Sequence, residues 1–531
     1  MANLVLGASF DGLWPPDSLS GGTISIRLAG KMVYVSDQGF TITIKGTGFT
    51  YDDDGLPSSG VVTGIQIAKA GIIYATFTAI SVDFVRYSNA VFGYDRDNGN
   101  HQNPDPYAIW QNALRGDDLI TGSTGWDDLR GGIGNDTINA GGGGDYVADQ
   151  EGNDLMDGGD DYDTLSYDEA NYSWTSFQGV QLDALSGTAI DPWGFTDHFT
   201  NFENYKDTSY ADTLKGSGRD EDFSINHGAD LVDGRGGFDF IRFDDADSFG
   251  AKRGVKVNLA TGVVVDSWKT TDSVVNIEGV IGSDFADKMT GSARDESFAA
   301  GKGIDSVDGG GGFDTYAFWN VGWDGTGHGV VIDLNAVLNV VDDGFGNSET
   351  MVGIEQITGS DFADRLTGNS ADNVFYGRDD NDTILGGGGN DDMGGEWGRD
   401  NLAGGLGNDS IGGGGEDDTL TGNGGVDEFY FAWDLVDVGA DRVTDFAAGE
   451  TLWVGSRWGG GLVNQDLVAN QFRSGVGVTT ANSASQRFIY NTTTGDLYFD
   501  ADGSGAGAAA IKFATLSNQF GLTFGDIQIL L

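Results

Sequence analysis

Aspartates recur at nine-residue intervals along much of the chain. One series is Asp118, Asp127, Asp136, Asp145, Asp154 and Asp163. A second is Asp212, Glu221, Asp230 and Asp239, and a third is Asp287, Glu296, Asp305 and Asp314. The longest is Asp364, Asn373, Asp382, Asp391, Asp400, Asp409, Asp418 and Asp427. Carboxylates repeated at fixed spacing make a ligand array for a hard cation. Aspartate oxygens and turn carbonyls together supply the about six to eight oxygen ligands that Ca²⁺ takes, whereas Mg²⁺ needs a smaller octahedron and sheds its water reluctantly. The aspartates of all four series are therefore the candidate calcium ligands. The chain has no cysteine, so thiolate metal sites, disulfides and a Cys nucleophile are excluded.

The residues around the aspartates say how they are positioned. Gly131-Gly132-Ile133-Gly134-Asn135-Asp136-Thr137-Ile138 is one unit, and Gly404-Gly405-Leu406-Gly407-Asn408-Asp409-Ser410-Ile411 is another. Glycines reach positive φ cheaply, so the glycine-rich part makes a tight turn. The residues after the aspartate make a short strand whose middle side chain (Ile138, Val147, Leu420) points inward. Two nonapeptides close one coil, and aspartates two repeats apart stack at the strand spacing of ~4.8 Å. Two bare carboxylates at that distance repel by ~1 kcal/mol in water and ~3–4 kcal/mol at an effective dielectric of about 20. A row of them disfavours the folded chain until cations sit between. If each ion bridges alternate turns, the four series hold up to about 14 ions. The pattern predicts an all-β chain built on a parallel β-roll, or β-helix solenoid.

Composition agrees. The chain has 531 residues and a net charge of −54, so nucleic acid and anionic membranes are not expected as partners. Glycine is abundant (89 residues), but only 6 prolines and no every-third glycine exclude collagen. At 39% hydrophobic and 11% aromatic, the chain has enough apolar surface for a core. No run approaches the ~20 apolar residues of a membrane helix, so no membrane insertion is expected. The first residues, Met1-Ala-Asn-Leu-Val-Leu-Gly, lack the basic and apolar regions of a Sec leader.

Three regions follow from the pattern. Residues 1–112 lack the repeat and alternate as strands, which predicts an N-terminal β-sandwich-like domain. Residues 113–431 hold the roll in four runs, 113–166, 207–242, 282–317 and 359–431, separated by inserts. The inserts repeat among themselves: Gly179-Val180-Gln181-Leu182-Asp183 recurs as Gly254-Val255-Lys256-Val257-Asn258 and Gly329-Val330-Val331-Ile332-Asp333. Glu203 has counterparts in Glu278 and Glu355. The inserts are expected to be strands that cap each roll, with Tyr162, Phe238 and Phe313 plugging the coil ends. Residues 432–531 form a different, acidic, β-rich module.

Over residues 113–531 the chain resembles the repeats-in-toxin (RTX) family of secreted bacterial proteins. The nonapeptides match its β-roll. The last hundred residues resemble the C-terminal target domain of type I secretion substrates, as in the serralysin-like group. The resemblance implies export through the type I secretion apparatus without a cleaved N-terminal signal. It also implies a chain that stays unfolded in the low-calcium cytosol and folds around Ca²⁺ outside the cell. The sequence departs from the family's nonapeptide at Glu221, Glu296 and Asn373, and Asp161 and Glu416 replace turn glycines.

The family includes enzymes, but their motifs are missing. The four histidines, His101, His198, His227 and His328, do not form H-E-x-x-H, and no serine has glycines at both −2 and +2. The expected function is an extracellular, calcium-binding structural or surface-interaction protein acting in adhesion, matrix or self-assembly. Its expected partners besides calcium are further copies of itself or cell-surface glycans. The alternative is a secreted polysaccharide-active enzyme with its site in residues 1–112 or in an insert. A glycan- or ice-binding roll would need a regular threonine or aromatic row on one face, and the outward repeat positions mix Gly, Ser, Arg and Asn.

Overall fold

The structure is a computed structural model. It describes residues 117–530 except 150, 169, 171–177, 247–249, 319–320, 322–325, 337–338, 432–438, 459–466 and 506. It also describes the backbone of the strands at 3–6, 23–28, 31–35, 40–51, 57–69, 72–83, 94–95 and 100–101. The chain forms two compact units, residues 1–251 with 262–277, and residues 252–261 with 278–531.

In the first unit the N-terminal strands form one antiparallel meander. Thr23–Leu28, Lys31–Val35, Phe40–Tyr51, Pro57–Lys69 and Ile72–Asp83 pair in chain order. Asn3–Leu6 pairs antiparallel with the last of these and parallel with Leu119–Thr121, so it joins the meander to the roll. Among the described residues the strands of the expected sandwich lie in this one sheet, with a separate pair at Tyr94–Asp95 and Asn100–His101.

The roll follows the nonapeptide. Leu119–Thr121, Thr137–Gly142 and Leu155–Asp160 stack in parallel in one sheet, and Asp128–Arg130, Tyr146–Ala148 and Thr164–Ser166 stack in the other. Ile138 faces Ile120 on one side and Met156 on the other, one coil apart. The inward position two residues after each aspartate is filled by Ile120, Leu129, Ile138, Val147, Met156 and Leu165, all at most 1% exposed. A thin core results, one apolar side chain per strand, with the turns left to glycine. Asp161 and Glu416 hold the turn conformation of the glycines they replace, at φ 79° and 74°.

The inserts do not cap the roll. In the first, Thr196–Thr200 pairs parallel with Leu155–Asp160 and antiparallel with Thr188–Ile190, which pairs antiparallel with Gln181–Asp183. Gln181–Asp183 then pairs parallel with Thr213–Lys215. A hairpin is thus spliced into one sheet, while the other runs straight on from Thr164–Ser166 through Asn204–Lys206 to Asp222–Ser224. One sheet gains two strands that the other lacks, and large side chains fill the extra space between them. Phe199, Phe202, Tyr205 and Phe223 are buried there, with Tyr205 stacked 5.9 Å from Phe223. Tyr162, Phe238 and Phe313 do not act as plugs: they are 48%, 36% and 44% exposed. The residue before a ladder aspartate lies on the outer side of the turn, where the Phe238 ring sits 5.4 Å from that of Phe240.

The second unit repeats the scheme. Gly279–Ile281, Ser297–Ala299, Thr315–Ala317, Gln356–Thr358, Val374–Arg378, Asp392–Trp397, Ser410–Gly415 and Glu428–Phe431 form one parallel sheet. In the other, Arg365–Thr367, Thr383–Gly388, Asn401–Leu406 and Thr419–Gly424 stack in parallel. Both sheets continue past the last nonapeptide: one through Thr451–Gly455 to Ile527–Leu530, the other through Asp441–Val443 and Ile511–Leu516 to Asp496–Phe499, Phe488–Asn491 and Phe472–Gly475. The core at that end becomes aromatic, with Phe431 and Trp458 5.4 and 4.9 Å from Phe513.

Candidate metal centre

One turn defines the site. Asp409 is 1% exposed. Its Oδ1 accepts the backbone N–H of Asp391 at 2.9 Å, and its own N–H donates to Oδ1 of Asp427 at 2.9 Å. Its Oδ2 is buried and has no hydrogen-bond donor. That oxygen faces the first glycine of the same nonapeptide: a Cβ on Gly404 would lie 2.1 Å from it. The same approach recurs at Gly395 with Asp400 (2.1 Å), Gly413 with Asp418 (2.1 Å) and Gly422 with Asp427 (2.2 Å). Glycine is used here because the carboxylate folds back over it.

The arrangement repeats as a ladder. Asp118 donates its N–H to Asp136, Asp127 to Asp145, Asp136 to Asp154 and Asp145 to Asp163. Asp212 donates to Asp230, Asp287 to Asp305, Asp364 to Asp382, Asp382 to Asp400 and Asp400 to Asp418. Glu221 and Glu296 donate in the same way to Asp239 and Asp314. Every aspartate expected from the sequence is buried, none more than 5% exposed. Oδ2 is without a donor at Asp136, Asp145, Asp154, Asp163, Asp230, Asp305, Asp314, Asp382, Asp391, Asp400, Asp409, Asp418 and Asp427. A buried carboxylate oxygen without a donor costs several kcal/mol unless a cation meets it. The donor set is all oxygen, and the residues therefore fit Ca²⁺.

Not every position is equal. Asp212, Asp287 and Asp364, which open the second to fourth series, are already saturated. Each takes hydrogen bonds from the N–H and hydroxyl of a residue four earlier (Thr208, Ser283, Ser360) and from the backbone of Val180, Val255 or Val330. Glu221 and Glu296 likewise bond to the hydroxyls of Ser217 and Ser292. Asn373 keeps the ladder geometry without a charge, donating to Asp391 and accepting from Asn369.

Several ladder members escape the nine-residue register. Asp197 and Asp272 receive the N–H groups of Asp154 and Asp230 across the inserts. Glu203 and Glu355 do the same for Asp163 and Asp314. Asp441 takes over from Asp418 beyond the last repeat, with its Oδ2 also lacking a donor. A signal was present in the sequence: the inserts carry Asp191…Asp197, Asp266…Asp272 and Asp343…Glu349, each pair six residues apart.

The electrostatics follow from burial. Loss of water raises Asp136 to about 8, Asp382 to about 9 and Asp418 to about 8, with neighbouring ladder carboxylates pushing the same way. Burial together with Glu349 raises Asp305 to about 10. Backbone N–H donors oppose the shift at each of these positions without cancelling it.

The repeat also matches a known protein family. The family described as RTX calcium-binding nonapeptide repeat (4 copies) matches residues 112–138, 131–165, 281–316, 358–393 and 394–429. The chain thus carries RTX calcium-binding nonapeptide repeats folded as a parallel β-roll. Among solved structures, it is similar to the solution structure of the AlgE6R3 subunit from the Azotobacter vinelandii mannuronan C5-epimerase. That match has 25% identity over 30% of this chain and 80% of the other, with a TM-score of 0.12. No curated protein matches the chain.

Proposed function

We propose that this is a secreted RTX protein whose aspartate ladder binds calcium outside the cell, and that the loaded roll is a scaffold for surface interaction or self-assembly. The observation that carries the reading is the stack of buried carboxylates, each with an oxygen lacking a donor. Such a core favours the folded state only where calcium is plentiful, which suits a chain exported unfolded and folded outside. The acidic C-terminal module, residues 432–531, is proposed as the type I secretion target. The N-terminal meander, joined to the roll through Asn3–Leu6, is the proposed joining or binding element. Among the described residues no helix is long and apolar enough to cross a membrane.

The test is light scattering with electron microscopy of the full chain in EGTA and then in millimolar calcium. Ordered filaments or sheets that appear with calcium support assembly. A calcium-loaded monomer at high concentration removes assembly and leaves surface binding, to be tested on glycan arrays.

A polysaccharide-active reading has one observation in its favour. A groove of about 620 Å³ lies beside the first insert, lined by Leu185, His198, Asn201, Tyr205, Arg219 and Glu221. Turnover of acidic or neutral glycans that disappears in His198→Ala would favour it.

A further inference from the structure

Five residues before most ladder aspartates the nonapeptide keeps a small residue, such as Gly404 before Asp409 or Ala140 before Asp145. Two turns place a third carboxylate there instead, Asp149 before Asp154 and Asp207 before Asp212. Asp149 stands five residues before Asp154 and is 0% exposed, and neither of its carboxylate oxygens has a hydrogen-bond donor. Oδ2 of Asp154 also lacks one. The first insert brings in Asp197, whose Oδ1 accepts the N–H of Asp154 at 3.1 Å and whose Oδ2 accepts the Tyr167 hydroxyl at 3.1 Å. One oxygen from each of Asp149, Asp154 and Asp197 lies within 4.8 Å of the other two. Nearby Asp191 is occupied otherwise: its Oδ1 accepts the N–H groups of Trp193 and Phe195 and shapes the loop.

The spacing is that of oxygens around one ion. Ca²⁺ binds oxygen at about 2.3–2.6 Å, so ligands on opposite sides of it lie roughly 5 Å apart. The cluster offers no nitrogen or sulfur, which disfavours zinc and copper. A second trio, Asp207, Asp212 and Asp230, has the same five-residue spacing and a similar approach. There the carboxylates are served by protein donors: both oxygens of Asp207 accept the Asn226 N–H, and Asp212 is bonded to Thr208 and Val180. Asp149 has no such donors, and this separates the two clusters.

We infer that Asp149, Asp154 and Asp197 form a calcium site separate from the nonapeptide sites, which fastens the first insert to the roll. The inference rests on the ladder reading only in sharing Asp154 and Asp197. Its role is structural: the ion would tie a turn of the roll to the strand Thr196–Thr200, 43 residues further along by the Leu155–His198 pairing.

The test uses the full-length chain. Asp149→Ala reproduces the native Ala140–Asp145 arrangement and leaves the ladder hydrogen bonds in place. Native mass spectrometry in saturating calcium should count one bound ion fewer than wild type. Hydrogen exchange should lose calcium-dependent protection at residues 181–200 while residues 383–424 keep theirs. Asp149→Asn, the same shape without the charge, should also lose one ion, and in EGTA it should be harder to unfold than wild type. An unchanged ion count in both variants, with unchanged exchange at 181–200, overturns the site. Wild-type protein that binds no calcium would sink the ladder reading as well, whereas loaded wild type with unaffected variants sinks this site alone.

Discussion

Replacing Asp409 separates charge from geometry in the ladder. Asn keeps an oxygen to accept the Asp391 N–H and a backbone N–H to donate to Asp427, and Asn373 natively donates its N–H to Asp391 in this way. Ala removes the acceptor and leaves the Asp391 N–H buried and alone. In metal-free protein the Asp409 carboxylate stacks between Asp391 and Asp427, one coil away on either side. At ~4.8 Å each pair repels by about 1 kcal/mol even with water-like screening. At alkaline pH, where the ladder carboxylates are ionised, Asp409→Asn should therefore make the EGTA form more stable by about 2 kcal/mol or more. Asp409→Ala also relieves the repulsion but forfeits about 1–3 kcal/mol for the orphaned N–H, so it should gain little or lose. In calcium the order reverses. Losing one carboxylate ligand should weaken binding at least about tenfold, or about 1.4 kcal/mol per affected site. Because calcium adds stability by mass action, both variants should be less stable than wild type in millimolar calcium. Urea unfolding followed by circular dichroism, in EGTA and in calcium, reads all six states. Asp409→Asn that is less stable than wild type in EGTA and unchanged in calcium would refute both the repulsion and the ligand assignment.

Three further outcomes are expected. Gly407→Ala should destabilise the last roll far more than Gly404→Ala, because Gly407 has φ +130° and its Cβ would meet the Gly389 carbonyl at 1.6 Å, whereas the atom nearest a Gly404 Cβ is a carboxylate that can swing away; thermal melts in calcium would compare them, and equal losses would contradict this. In EGTA, acid should promote folding: Asp136, Asp382 and Asp418 hold protons up to about pH 8–9 when folded, and an unfolded aspartate releases its proton near pH ~4. The folded state then binds more protons, so metal-free stability is fully present below about pH 4 and is lost as pH rises to 8–9, and circular dichroism should show β-structure growing as pH falls toward 4. Leu402→Ala should cost about 2–5 kcal/mol, because Leu402 is fully buried in a core one side chain thick, and chemical unfolding in calcium would measure it.

The roll was legible in the sequence because a single short period sets everything in it. The nine-residue spacing placed Ile138, Val147 and Leu420 inside and the ladder aspartates at the turns, and the structure has them there. Legibility failed where the period is interrupted. Asp197, Asp272 and Asp441 belong to the ladder but lie 43, 42 and 23 residues from the residue that donates to them. No local pattern announces that a hairpin has been spliced into one sheet while the other continues. The aromatic plugs failed for another reason. The size of Tyr162, Phe238 and Phe313 suits a plug, but direction decides burial, and the residue before a ladder aspartate points outward. The saturation of Asp212, Asp287 and Asp364 was visible in principle, since Thr208, Ser283 and Ser360 each stand four residues earlier, the spacing of a side-chain turn that caps a carboxylate.

Placing like charges in its own core makes the folding of this chain conditional. Apolar burial works wherever there is water, so an ordinary core folds without any ion. Here the inward apolar positions supply one side chain per strand, and most coils also bring two buried carboxylates whose repulsion opposes that gain. Folding then depends on ion concentration, since ligand binding to a site absent from the unfolded chain is itself folding free energy. The dependence should also be cooperative. Neighbouring coils share ladder hydrogen bonds, such as Asp382 to Asp400 to Asp418, so ordering one turn positions an acceptor for the next. The inserts extend this coupling, because Asp197 and Glu203 carry the ladder across the hairpin and link roll segments that their sequence separation would make independent.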